Sequence, residues 1–463
     1  MKMICLRYIL CMVVLLTLEM VNYCAWGDET GDVRAWLSSE DGRFKLTEVK
    51  VKLASKISKK ANVIEIDKNQ KYQTILGMGG SLDHATCWNL TRLSPQDREE
   101  IIEKIVDPEK GIGMNLMRLC IGTSDFVGEP YYTYSDLPLG ETDPELENFS
   151  IEKDKEYIIP IIKMVQEKNP EVLFFASPWS PPAWMKDSQN LCGGKLKKEY
   201  YSVYAEYLKK FIENYRELGI PIYAITVQNE PLMEDPDYPT CVWSAEEQKV
   251  FIRDYLGPLF EKSGIGTKIW CWDHNWNVLD FPRAIFTDPC ASKYVEGTGF
   301  HLYEGKVEAQ SVLHNEFPDK HIYFTEGSTF YTRGAIKIIE IFRNWSRSYN
   351  LWVICLDWQR KPNRGPHHAS PTMIVLTPEN KIEYRYDYYM YGQFMKFVKR
   401  GAFRIYSTPG SRYLDNIAFL NPDGKIALIV ANAENNEKII GVKSENVSFE
   451  YKLPSKSVIT FVW

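Results

Sequence analysis

Between Thr74 and Lys399 the chain alternates short, β-branched apolar runs with amphipathic helical stretches, and it does so eight times. This alternation constrains the fold most, because an apolar run of strand length followed by a helix belongs in a parallel sheet covered on both faces. The runs are residues 74–81, 114–122, 173–179, 222–230, 268–273, 297–303, 321–326 and 351–358. Helix starts stand between them. Ser94-Pro95-Gln96-Asp97 supplies a capping serine, a proline at the first helical position and an acidic first turn. Ser244-Ala245-Glu246-Glu247 has the pattern of a capping box, and residues 198–218 place Tyr201, Tyr204, Leu208 and Phe211 on one helical face. Eight strand and helix units in succession predict an α/β fold, a (β/α)8 barrel.

The ends of the chain speak a different pattern. Residues 33–53 and 62–67 alternate polar and apolar side chains around the turn cluster Ser38-Ser39-Glu40-Asp41-Gly42. From Arg404 onward strands return, with a hairpin over residues 418–430 about Asn421-Pro422-Asp423-Gly424. The N-terminal piece is too small to be stable alone, so the two ends are expected to pair into one β-sandwich beside the barrel. The expected division is a leader over 1–27, sandwich strands over 28–73, the barrel over 74–402 and the rest of the sandwich over 403–463.

The leader rests on Lys2 and Arg7, an apolar run over residues 8–18, and small residues at Ala25-Trp26-Gly27. Glu19 interrupts the run well short of the ~20 residues that a spanning helix needs. The expectation is export to a secreted or extracytoplasmic location, with no stable membrane span once the leader is removed. Of ten cysteines, Cys5, Cys11 and Cys24 lie in the leader. The remaining seven leave at least one thiol unpaired, with Cys192–Cys241 the expected bridge. Sequons stand at Asn89, Asn148, Asn344 and Asn446.

Two of the apolar runs end in a glutamate. The fourth closes on Gln228-Asn229-Glu230-Pro231, and the seventh on Glu326-Gly327. Side chains at the carboxyl ends of barrel strands are where such folds place their chemistry. Two glutamates so placed are the equipment of a retaining glycosidase, in which one carboxyl protonates the leaving oxygen while the other attacks. Aromatic residues make up 13% of the chain, enough to line a sugar site as well as a core. The formal charge of -6 and the lack of a basic stretch argue against nucleic acid as a partner. No cysteine or histidine spacing resembles a zinc site, and neither a metal nor a cofactor is expected. His367-His368 reads as a loop pair or part of the site rim. A non-catalytic carbohydrate-binding protein on the same fold would lack one of the carboxylates, and a metal-dependent hydrolase would cluster its histidines, which here are scattered.

Ala176-Ser177-Pro178-Trp179-Ser180-Pro181-Pro182-Ala183-Trp184-Met185-Lys186, Gln228-Asn229-Glu230-Pro231 and Phe324-Thr325-Glu326-Gly327 together resemble glycoside hydrolase family 30, which contains glucosylceramidases and β-1,6-glucanases. The resemblance extends to Gly77-Met78-Gly79-Gly80, Asp125-Phe126, Tyr132-Thr133-Tyr134, His301-Leu302-Tyr303, Leu356-Asp357-Trp358-Gln359 and Gly365-Pro366. It implies a barrel with a β-sandwich from both termini, Glu230 as acid/base and Glu326 as nucleophile. It also implies that Asn229 binds the sugar 2-hydroxyl, that Arg118 partners the nucleophile, and that Trp179, Tyr303 and Trp358 line the pocket. Trp184 stays open between pocket and core. Where glucosylceramidases carry a Thr-Asp pair, this chain has Asp83-His84, so either Asp83 or His84 would take the distal hydroxyls. The implied enzyme is a secreted, glucosylceramidase-like retaining β-glycosidase. The alternatives are an endo-β-1,6-glucanase or another β-glycosidase of xylosidase or fucosidase type. Its partner would be a β-linked glucoside, glucan or glycolipid.

Overall fold

The computed structural model describes residues 33–463 apart from Ser55, Asn380 and Asn446. The expected leader over 1–27 and the sequon at Asn446 lie outside the described residues. Eight parallel strands form the barrel: Gly77–Gly80, Leu116–Ile121, Leu173–Pro178, Ile222–Thr226, Lys268–Asn275, Val295–His301, His321–Glu326 and Ser348–Leu351. The second to the seventh make one six-stranded sheet, and the eighth pairs with the first. Parallel bridges from Ser81 to Arg118 and from Ile322 to Ser346 close the ring. Glycine dominates strand one because the backbones nearly touch: a Cβ on Gly79 would stand 2.0 Å from the Leu116 carbonyl oxygen.

The helices begin where their caps dictate. Ser94 Oγ accepts the Asp97 N–H and Pro95 fills the first position of Pro95–Val106, whose Ile101, Ile102, Ile105 and Val106 are buried. Ala245–Phe251 opens on a complete capping box between Ser244 and Glu247, and such a cap contributes about 1 kcal/mol. Tyr201–Glu217 buries Tyr201, Tyr204, Leu208 and Phe211, as its periodicity predicts.

Strand eight lies earlier than the apolar run 351–358 implies. Its Ser348 and Asn350 are buried polar residues, tolerated because Ser348 Oγ donates to the Phe324 carbonyl (3.2 Å) and Asn350 Nδ2 to the Leu116 carbonyl (2.8 Å). Cys355–Asp357 instead pairs with Ile374–Leu376 in a small separate sheet within the following loop. Strand one likewise starts after residue 74, since Thr74 ends a long sandwich strand.

The two chain ends do join. Arg34–Ser39 pairs antiparallel with Ser457–Val462, which pairs with Ile426–Asn432, and the strand Asn62–Thr74 links Phe403–Ser407 to Lys438–Ser444. Ten strands result in a continuous sheet folded on itself around Leu37, Leu428, Ile459, Val442, Phe449 and Phe461. Gln393 on the last barrel helix donates to Ser38 Oγ (2.8 Å) and accepts from Thr460 Oγ1 (2.6 Å), fixing the sandwich to the barrel.

Cys192 and Cys241 do not form the expected bridge, and all seven cysteines among the described residues are free. Lys186 joins their loops instead. Fully buried, its Nζ donates to the carbonyls of Leu191 and Thr240 and to Ser180 Oγ, at 2.7–2.9 Å. The sequon at Asn89 is also closed, because its side chain is wholly buried and donates to the Cys355 and Lys361 carbonyls. Among the described residues no helix is long and apolar enough to cross a membrane.

Candidate active site

At the carboxyl end of the barrel, strands two to seven each send a polar side chain into the centre. Arg118 on strand two is wholly buried and donates to Glu326 Oε2, Asn229 Oδ1 (2.8 Å), Asp273 Oδ2 (2.9 Å) and Ser177 Oγ (3.2 Å). Asp273 also accepts from Ser177, Thr226 and Thr325 at 2.6–2.9 Å. Burial works against its charge, but Arg118 and His301 outweigh burial and hold its carboxyl far below the ordinary range. Removing Arg118 would take the guanidinium away from two buried carboxylates, a loss of about 3–5 kcal/mol.

Glu230 follows strand four in the left-handed region, φ 47°, with its N–H on the Asp273 carbonyl (3.0 Å). Holding a residue with a side chain there costs on the order of 1–3 kcal/mol, a cost met here by the surrounding bonds. The turn aims its carboxylate at His301, whose Nδ1 lies 3.1 Å from Glu230 Oε1 and whose Nε2 lies 3.0 Å from Asp273 Oδ1. Burial disfavours the imidazolium, yet Glu326, Asp273 and Glu230 together raise His301 to about 9. Glu230 shows the reciprocal effect: burial would raise it, but the bond to His301 and its charge bring it below the ordinary glutamate value. His274 stands on the other side, 3.7 Å from the same oxygen, and burial lowers it to about 4, so it is neutral.

Glu326 is held on both oxygens, by Arg118 and by Tyr303 Oη at 2.8 Å. A carboxylate oxygen of Glu230 and one of Glu326 lie within 4.8 Å of each other. Glu230, His301 and Glu326 thus have the donor types of a metal site, but hydrogen bonds already occupy the atoms that face one another. A cavity of about 460 Å³ opens over the pair. Trp179 and Trp352, stacked at 5.2 Å, line it together with Phe126. Asn229 Oδ1 is taken by Arg118, which leaves its amide N–H groups for the cavity.

Of the residues the sequence nominated, Glu230, Glu326, Asn229, Arg118, Trp179 and Tyr303 meet at this cavity or directly beneath it. His367 and His368 lie on its rim. Asp83, His84 and Trp358 are elsewhere. Asp83 caps the helix His84–Thr91, accepting the N–H groups of Ala85 and Thr86, and His84 is buried with Nε2 3.0 Å from Tyr132 Oη. Trp358 is exposed beyond the true strand eight, and Trp352, the residue after that strand, takes its place. Trp184 is core, its indole N–H on the Ser135 carbonyl (2.8 Å).

Sequence reasoning assigned no role to Asp125, Asp273, His274, His301 or Trp352. Asp273 had a signal, since it ends a strand run as the two glutamates do. The Asp125 carboxylate lines the cavity and accepts no hydrogen bond among the described residues. Burial, and then the charges of Glu326 and Glu230, push it well above the ordinary aspartate range.

The sequence model of the glycosyl hydrolase family 30 TIM-barrel domain matches residues 75–398, and that of the family's β-sandwich domain matches residues 401–461. An endo-1,6-β-D-glucanase of Aspergillus fumigatus is 28% identical over 482 residues, covering 97% of this chain and 98% of its own. The lysosomal acid glucosylceramidase of Mus musculus is 27% identical over 434 residues, covering 87% and 83%. Among solved structures, the endo-β1,6-glucanase BT3312 superposes with a TM-score of 0.86 at 30% identity, over 94% of this chain and 99% of its own. With both family domains matched in order and the barrel and sandwich present, the chain belongs to glycoside hydrolase family 30 and is a glycoside hydrolase.

Proposed function

We propose that the enzyme cleaves β-glucosidic bonds with retention of configuration, Glu326 acting as nucleophile and Glu230 as acid/base. The spacing of the pair carries this reading. Oxygens within 4.8 Å suit the gap of about 5–5.5 Å used in double displacement, whereas inversion needs about 6.5–9.5 Å to admit a water. In the first step a Glu326 oxygen bonds to the anomeric carbon as the bond to the leaving oxygen breaks, and Glu230 gives that oxygen a proton. In the second step Glu230 takes a proton from water, whose oxygen bonds to the anomeric carbon as the ester breaks. Esterification removes the charge of Glu326, and with it the like-charge repulsion that favours a proton on Glu230, so Glu230 turns from acid to base.

For the substrate we propose a β-1,6-linked glucan. Relatives that match over nearly the whole chain include endo-1,6-β-glucanases. The test is a product profile on linear β-1,6-glucan, glucosylceramide and a panel of aryl β-glycosides, with NMR of the first-formed sugar. Gluco-oligosaccharides appearing first as β-anomers are expected. Cleavage of glucosylceramide alone would favour the glycolipid reading, activity on xylosides or fucosides alone would refute glucose, and an inverted anomer would refute retention. We also propose export, supported by the basic start and apolar run of the leader; secreted protein that begins at Met1 would contradict it.

A further inference from the structure

We infer that the cavity wall formed by the ends of strands five and six is a leaving-group site for a second sugar ring, with Glu304 as the residue that selects carbohydrate over lipid. This rests on the retaining glucosidase reading above. Glu230 at strand four and Glu326 at strand seven divide the barrel mouth into two arcs. The arc of strands eight, one, two and three is closed by Trp179, Trp352, Phe126 and Asp125, which fits the ring under attack. The arc of strands five and six is left for the group that departs, and Asn275, Leu302, Tyr303 and Glu304 line it.

This second arc is braced. Tyr303 N–H donates to Asn275 Oδ1 (3.0 Å), Trp276 N–H to the Glu304 carbonyl (3.0 Å), and Asn277 Nδ2 to Glu304 Oε2 (2.5 Å). Gly305, at φ 89°, lets the loop turn so tightly that a Cβ there would stand 2.6 Å from the Asn277 nitrogen. The bracing holds the Glu304 carboxylate in place although it is exposed. Two polar atoms remain without a partner among the described residues: Glu304 Oε1, an acceptor, and Asn275 Nδ2, a donor. Beside them the Tyr303 ring is half exposed. A donor and an acceptor next to an aromatic face complement the hydroxyls and the apolar face of a hexose. A hydrocarbon chain in the same place would strip water from Glu304 and return no hydrogen bond.

The same site would take an acceptor sugar in the second half-reaction. The incoming hydroxyl gives its proton to Glu230, its oxygen bonds to the anomeric carbon, and the bond to Glu326 breaks. The partition of the glycosyl-enzyme between sugar and water therefore reports on this arc, whatever the overall rate. With an aryl β-glucoside as donor and gentiobiose as acceptor, the wild-type enzyme should form transfer product. Glu304→Leu should lower the ratio of transfer to hydrolysis by about tenfold or more, the loss of a bond to a charged group. Glu304→Gln, which keeps one uncharged acceptor, should fall between the two. An unchanged ratio in Glu304→Leu would overturn the assignment, as would a wild-type enzyme that retains configuration but transfers to no sugar. Inversion seen by NMR would instead sink the retaining reading on which the inference stands.

Discussion

Replacing Asp83 with Asn should make the protein less stable at acid pH and more stable at neutral pH. Asp83 lies wholly out of water, with Oδ2 accepting the N–H groups of Ala85 (3.0 Å) and Thr86 (3.3 Å) and Oδ1 without a partner. Burial raises its carboxyl from 3.8 to about 7, the hydrogen bonds from Thr86 and Ala85 drawing it only partly back. Between those values the folded protein keeps a proton that the unfolded chain releases, so stability falls as pH rises through the window. About three pH units at about 1.36 kcal/mol each give on the order of 4 kcal/mol. Asn keeps the capping oxygen and has no charge to bury, which removes this fall. Its amide, however, leaves N–H groups unpaired at a cost of about 1–3 kcal/mol. Urea unfolding of both proteins at pH 4 and pH 8 should therefore give stability differences of opposite sign, about 4 kcal/mol apart. That separation does not depend on the cost of the amide. Equal differences at the two pH values would refute the buried-charge reasoning, and a tenfold rise in KM would return Asp83 to the sugar site.

Asp125→Ala should lower kcat/KM for aryl β-glucosides about 10- to 100-fold, the loss of a bond between a carboxyl and a sugar hydroxyl, and an unmoved value would remove Asp125 from the site. His301→Gln should move the alkaline limb of the kcat/KM profile to higher pH. The imidazolium, charged below about 9, is what holds Glu230 low against burial, so without it Glu230 keeps its acid proton further up the scale. A limb that moved down would make His301 the proton source. In protein made by a glycosylating host, peptide mass spectrometry should find Asn148, which is exposed, modified and Asn89 bare. A glycan on Asn89 would contradict the packing of its helix.

The barrel was legible because its strands are buried on both faces, and runs such as Phe174-Phe175-Ala176 or Ile225-Thr226-Val227 leave little else to propose. The caps at Ser94 and Ser244 were equally plain, since their partners lie within four residues. Strand eight was misplaced because Ser348 and Asn350 look like loop residues until the Phe324 and Leu116 carbonyls that satisfy them are seen, and both carbonyls belong to other strands. The error moved the pocket tryptophan from 352 to 358. Asp83 and His84 stand off the cavity for a related reason: the sequence marks a helix start but not which way its cap faces. Glu230 and Glu326 stood out at strand ends, yet their partners Arg118, Asp273 and His301 are joined to them only by barrel closure. No local pattern records that.

The most direct test of the account is to trap the covalent intermediate. The enzyme is incubated with an activated 2-deoxy-2-fluoro-β-glucoside, whose fluorine slows both steps while its good leaving group lets the first proceed, and is then digested for peptide mass spectrometry. One deoxyfluoroglucosyl group is expected, carried on the peptide that contains Glu326 and localised to that side chain, in the wild-type enzyme and in Glu230→Gln. A label on Glu230 or any other residue would contradict it, as would an unlabelled wild-type enzyme that still hydrolyses the parent glucoside with inversion.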